Sequence, residues 1–180
     1  MSLDDKTGFE CARAALRKNS HGFSLIELLI VVAIILVVAA IAVPNLMRSR
    51  IAAHQAAAVG SLRTLNTAEI TYAATYDIGF SSMMVYLGPP PAAGIPTSTA
   101  GGLVDDVLAG DGTNLSVKSG YRFRYTPGLP SNNIINSYTF HANPDAPGTS
   151  GENYYFTDES GVIRQNAYVG ASVTDSPIAG

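Results

Sequence analysis

Phe23 to Val43 reads FSLIELLIVVAIILVVAAIAV, an apolar run in which Ser24 and Glu27 are the polar exceptions. As a helix rising about 1.5 Å per residue it spans roughly 30 Å, the thickness of a bilayer's hydrocarbon core, so it is long enough to cross a membrane. Arg13, Arg17 and Lys18 precede it and favour a cytoplasmic N-terminus, against a weaker opposing pull from Arg48 and Arg50 on the other flank. A cleavable secretory signal would have a shorter apolar core, about 7–15 residues, closed by small residues. This run instead ends in Val43, Pro44 and Asn45. A plain membrane anchor accounts for the hydropathy but leaves Glu27 unexplained.

A charged carboxylate near the middle of an apolar helix costs roughly 2.5–3.5 kcal/mol on insertion scales, and less towards the interface. Glu27 follows Phe23 by four residues, so on a helix the two project from one face about a turn apart. Were the chain cut before Phe23, the new terminal amine would be a cation within reach of a carboxylate in the same or a neighbouring chain. Such a pair offsets the burial cost and sets the register between copies.

The stretch HGFSLIELLIVVAIILVVAAIAVPNL resembles the N-terminal motif of type IV pilins and type II secretion pseudopilins. The resemblance implies that a prepilin peptidase cuts between Gly22 and Phe23, that the amine of Phe23 is methylated, and that Glu27 serves filament assembly. Gly22 suits cleavage, because a residue without Cβ lets a protease approach an extended backbone closely. Pro44 matches the helix proline of the family, where a missing N–H and a ring clash kink the helix or loosen it near Ala40. Many members carry glycine at the position of Leu36, so melting of this helix in a filament is less assured. The leader through Gly22 is longer than in many type IVa pilins, although Phe23 is typical of them.

The 180 residues suffice for one domain with an extension, domains commonly having about 100–150 residues. The net charge of −3 is small and the acidic residues are scattered, so no basic stripe points to nucleic acid. Cys11 is the single cysteine and precedes the apolar run, which leaves the rest of the chain without an internal disulfide. Aromatic residues make up an ordinary 8%, which packing explains without electron conduction.

Beyond Pro44 the helical pattern continues to about Tyr76, with Val59, Leu62, Leu65, Tyr72 and Tyr76 at steps of three or four and Glu69 interrupting the stripe. From Asp77 to Gly120 the composition turns to Gly, Pro, Ser and Thr and reads as a loop, with a short helix at Leu103–Leu108. In YRFRY, Tyr121, Phe123 and Tyr125 alternate with Arg122 and Arg124 as in a half-buried strand. Further strands are predicted at Ile134–Ala142, Tyr154–Thr157 and Val162–Gln165, the last two joined by a turn at Asp158–Gly161. The tail after Asn166 shows no pattern. Major pseudopilins bind calcium in this region, and Asp145, Asp158, Glu159 and Asp175 offer hard oxygen ligands. Their spacing fits solvated turns better, and the expectation is of no metal and no cofactor.

His21, His54 and His141 stand in unrelated contexts, and no phosphate loop, dinucleotide fingerprint or zinc pattern is present. The protein is thus expected to be a substrate of the peptidase and not an enzyme. The expected fold is α+β: a long N-terminal helix, transmembrane in its first half and amphipathic in its second, packed on a small antiparallel sheet in the manner of pilins. The expected divisions are a leader over 1–22, a membrane and assembly helix over 23–50, and a globular region over 51–180. The last comprises helix 51–78, loop 79–120, sheet 121–166 and tail 167–180.

The resemblance implies as partners further copies in a helical homopolymer, the prepilin peptidase and an inner-membrane assembly platform. The precursor is expected as a single-pass inner-membrane protein with a cytoplasmic N-terminus. The assembled form is expected in an extracellular pilus, for adhesion, motility or DNA uptake, or in a periplasmic secretion pseudopilus. A membrane-anchored binding protein that never polymerises is the alternative of another class.

Overall fold

The computed structural model describes residues 22–91 and 94–178. Residues 1–21, with Cys11, Arg13, Arg17, Lys18 and His21, lie outside the described residues. The fold is α+β, with a long apolar-to-amphipathic helix and a five-stranded antiparallel sheet. Helix α1 (Leu25–Tyr76) contains Pro44 without a break in its assignment. The chain divides into two compact units, Met1–Ile41 and Ala42–Gly180. The described part of the first is residues 22–24 and the start of α1, whose large apolar side chains are exposed.

In the second unit the strands β1 (Leu115–Lys118), β2 (Tyr121–Pro127), β3 (Tyr138–Pro144), β4 (Tyr154–Asp158) and β5 (Arg164–Asn166) form a meander in chain order. The predicted alternation of β2 is observed: Tyr121, Phe123 and Tyr125 are buried, and Arg122 and Arg124 are exposed. Register then places Phe123 opposite Ala142 and Tyr125 opposite Phe140, so the inward residues of β3 extend the same face. Ala58, Leu62, Leu65 and Tyr72 of α1 join these aromatics in one core. Tyr125 and Phe140 lie 4.8 Å apart between ring centroids, and Phe80 meets Tyr138 edge-on at 4.7 Å. Such pairs add about 0.5–1.5 kcal/mol each beyond the area they bury.

Several boundaries depart from the expectations. The sheet begins within the stretch read as loop, at β1, because Ser119 (φ 51°) and Gly120 (φ 74°) form a two-residue turn with both residues left-handed. That turn matches the twist of paired strands, but Ser-Gly is a weaker signal for it than Asn-Gly. A 3₁₀ turn, Met84–Leu87, lies in the same stretch, and the short helix there is α2 (Asp106–Ala109), where the Asp105 side chain caps Leu108 N at 3.0 Å.

The strand expected from Ile134 starts later, at Tyr138. Ser131 and Ile134 instead bridge each other across left-handed Asn132 and Asn133, which makes a local turn of that apolar residue. Likewise β5 occupies Arg164–Asn166, two residues beyond the predicted start.

The tail is ordered by long-range bonds. Gln165 N donates to Ser176 O at 3.0 Å and Ile178 N to Ile163 O at 2.9 Å, which lays the tail along β5. Asp175 accepts from Asn166 Nδ2 at 2.8 Å and from Ser172 N at 2.7 Å. These bonds hold its carboxyl below the usual carboxylate range.

Candidate functional site

Gly22 and Phe23 lie in non-helical chain just before α1, and the Ser24 carbonyl accepts the first helical bond, from Leu28 N at 3.2 Å. Glu27 therefore stands in the first turn, where the unpaired N–H groups and helix dipole favour a negative charge. Gly22 is exposed, and a Cβ built on it would meet nothing within 4 Å. Phe23 is 77% exposed. In the uncut chain the nitrogen of Phe23 is a neutral amide, so Glu27 has no cation there to pair with.

After Glu27 the helix carries leucine, isoleucine and valine on every side, and none of its most apolar window is buried by the protein. A contiguous exposed apolar surface of this extent marks a membrane or protein interaction surface. Pro44 follows, where its ring removes one backbone donor from the helix.

The carboxylates considered for calcium do not converge. Asp145 pairs with Arg122 at 2.6 Å, Asp158 caps its own turn through Ser160, and Asp175 holds the tail. Among the described residues no three His, Cys, Asp or Glu side chains form a metal-binding group.

Asn66, which the apolar pattern does not single out, joins Glu69 and Tyr72 in a polar seam inside the core. Asn66, Glu69 and Tyr72 follow one another at three-residue steps along α1, and all three are buried. Asn66 Nδ2 donates to Thr157 Oγ1 at 2.8 Å, while its Oδ1 accepts from Tyr138 Oη at 3.2 Å. Tyr72 Oη donates to Ser98 O at 2.6 Å. Glu69, expected only to interrupt the apolar stripe, is wholly buried and receives both the N–H and the hydroxyl of Ser81. Burial pushes its carboxyl above the usual range, and the Ser81 bonds oppose that only in part. These contacts fasten the second half of α1 to the sheet and the following loop. They serve architecture.

A family model described as the prokaryotic N-terminal methylation motif matches residues 17–43. The chain carries the hallmark of type IV pilin and pseudopilin precursors. No curated protein and no solved structure matches the chain. The motif encloses Gly22, Phe23 and Glu27 and ends at Val43, so it coincides with the apolar run and with the start of α1. The motif implies processing by a prepilin peptidase and polymerisation into filaments. The apolar helix within it suits membrane anchoring of the precursor.

Proposed function

We propose that the protein is the precursor of a type IV pilus subunit, cut between Gly22 and Phe23, methylated on the Phe23 amine and polymerised through α1. The observation that carries this reading is Glu27: a lone carboxylate in the first turn of an all-round apolar helix, within the matched motif. Residues 1–22 form the leader in this reading, 23–50 the membrane and assembly helix, and 51–180 the globular region. Cleavage converts the Phe23 amide into a cation, which a Glu27 carboxylate then pairs with as copies assemble. The apolar helix passes from lipid to a protein core that is equally apolar, so the transfer avoids the hydration cost of leaving water. An inner-membrane assembly platform drives it.

Mass spectrometry of protein sheared from intact cells tests the reading. It expects a chain beginning at methylated Phe23 in the fibre fraction, with Glu27→Ala abolishing fibres and leaving membrane insertion intact. An intact leader found only in membranes, or Glu27→Ala with normal fibres, sinks it in favour of a non-polymerising anchor. Secretion pseudopilins share the motif, and a deletion strain separates the two. Loss of surface fibres with secretion unchanged is the outcome for a pilus subunit, used in adhesion, motility or DNA uptake.

A further inference from the structure

In the globular unit, α1 contributes Met47, Arg50 and His54, the last two one turn apart, to a cleft of about 500 Å³. Its other walls are the Ser119–Gly120 turn and the loop carrying Thr149 and Ser150. His54 Nδ1 lies 3.0 Å from the Ser150 carbonyl. A carbonyl only accepts, so Nδ1 carries the hydrogen; Nε2 accepts in the neutral ring and donates to an anion only in the imidazolium, where both nitrogens carry hydrogen. Gly120 allows the close approach: a Cβ there would come within 2.9 Å of His54 Nδ1.

Among the described residues no carboxylate lines the cleft, and the nearby acid, Asp145, is engaged by Arg122 at 2.6 Å. A guanidinium and two exposed hydroxyls, those of Ser119 and Thr149, thus converge, and the imidazole adds a donor when protonated, with no counter-charge from the described residues lining the cleft. That donor set fits a phosphate, whose oxygens match the guanidinium fork.

The position along α1 indicates what would present the phosphate. Val43 ends the apolar run, and Arg50 stands seven helical steps beyond it, a rise of about 10 Å. The headgroup layer on one side of a bilayer is about 5–8 Å thick, and an arginine stem covers the difference.

We propose that this cleft binds the phosphate of an anionic phospholipid while the precursor is held in the membrane. The proposal rests on the membrane-anchored reading given above. It provides a lipid contact that is released when the subunit leaves the bilayer.

The test titrates the full chain in non-ionic detergent with short-chain phosphatidylglycerol, short-chain phosphatidylcholine and inorganic phosphate. Phosphatidylglycerol is expected to bind best, and Arg50→Gln to weaken it about tenfold, the loss of about one charge-assisted hydrogen bond. Arg48→Gln, which alters a basic residue outside the cleft, is expected to change it less than about twofold, the size of a surface charge effect. His54→Gln is expected to weaken it as well.

Equal losses for Arg48→Gln and Arg50→Gln would overturn the cleft in favour of general charge attraction. Inorganic phosphate or phosphatidylcholine binding as tightly would overturn the anionic lipid as its occupant. Flotation of the same protein with vesicles scores anchoring separately. A chain that floats but does not bind removes only this proposal, and a chain that does not float removes the anchored reading.

Discussion

Glu69 Oε2 accepts the backbone N–H of Ser81 at 2.9 Å, and its Oε1 accepts the hydroxyl of the same serine at 2.6 Å. A buried side chain of α1 thus clamps the loop that follows the helix, and Tyr125 Oη donates to the Ser81 carbonyl from the sheet. Burial also pushes the Tyr125 hydroxyl well above the usual tyrosine range, the neighbouring carboxylate adding to the effect.

The raised Glu69 pKa has a definite sign in stability. The folded state holds the proton more tightly than the unfolded chain, whose group titrates near 4.5. Its contribution is complete below that value and is lost as pH rises through the folded pKa. Thermal melting from pH 7 down to pH 4 should therefore show the wild type gaining on Glu69→Gln. A gap between the two that does not change with pH would dispose of the shift. Glu69→Ala, which strands the Ser81 N–H, is expected to cost about 1–3 kcal/mol near pH 4 and less as pH rises towards 7.

Asn66 and Thr157 test the seam between helix and sheet. Asn66→Ala leaves the Thr157 hydroxyl and the Tyr138 hydroxyl without their partner, at about 1–3 kcal/mol. Combined with Thr157→Val, the two changes should fall short of additivity by about 0.5–1.5 kcal/mol in urea denaturation. Strict additivity would show that the bond contributes nothing.

Gly151 owes its identity to crowding. A Cβ there would stand 2.1 Å from the hydroxyl of Tyr121, a fully buried ring whose Oη donates to Asn153 O at 2.8 Å. Gly151→Ala should cost about 1–3 kcal/mol through overpacking. Tyr121→Phe in the same chain should recover part of the loss, since the hydroxyl is the atom in closest conflict. A double variant no more stable than Gly151→Ala would argue against that clash.

The tail depends on Asp175, whose depressed pKa works in the opposite direction to that of Glu69. Its stabilisation is present above the ordinary carboxylate value of 3.8 and fades as pH falls through the lower folded one. Asp175→Ala should speed proteolysis of the segment after Asn166 at neutral pH, with the sheet core still protected. Cleavage at the wild-type rate would mean that the Gln165 and Ile178 backbone bonds hold the tail without it.

Local pattern was enough for much of this protein. Twenty-odd apolar residues fill a bilayer whatever surrounds them, and the one carboxylate among them, Glu27, stands out in the chain itself. The alternation of Tyr121, Phe123 and Tyr125 with arginines dictated the inward face of β2. The early start of the sheet was hidden because Leu115–Lys118 becomes a strand only by pairing with β2 across the Ser119–Gly120 turn.

Only the tertiary structure could decide the rest. Glu69 meets a partner 12 residues away, Asn66 one 91 away and His54 one 96 away. A polar residue on a helix reads as solvated until some distant segment supplies its hydrogen bonds. Water is the default partner, and replacing it at low cost requires a donor or acceptor that folding alone brings within reach.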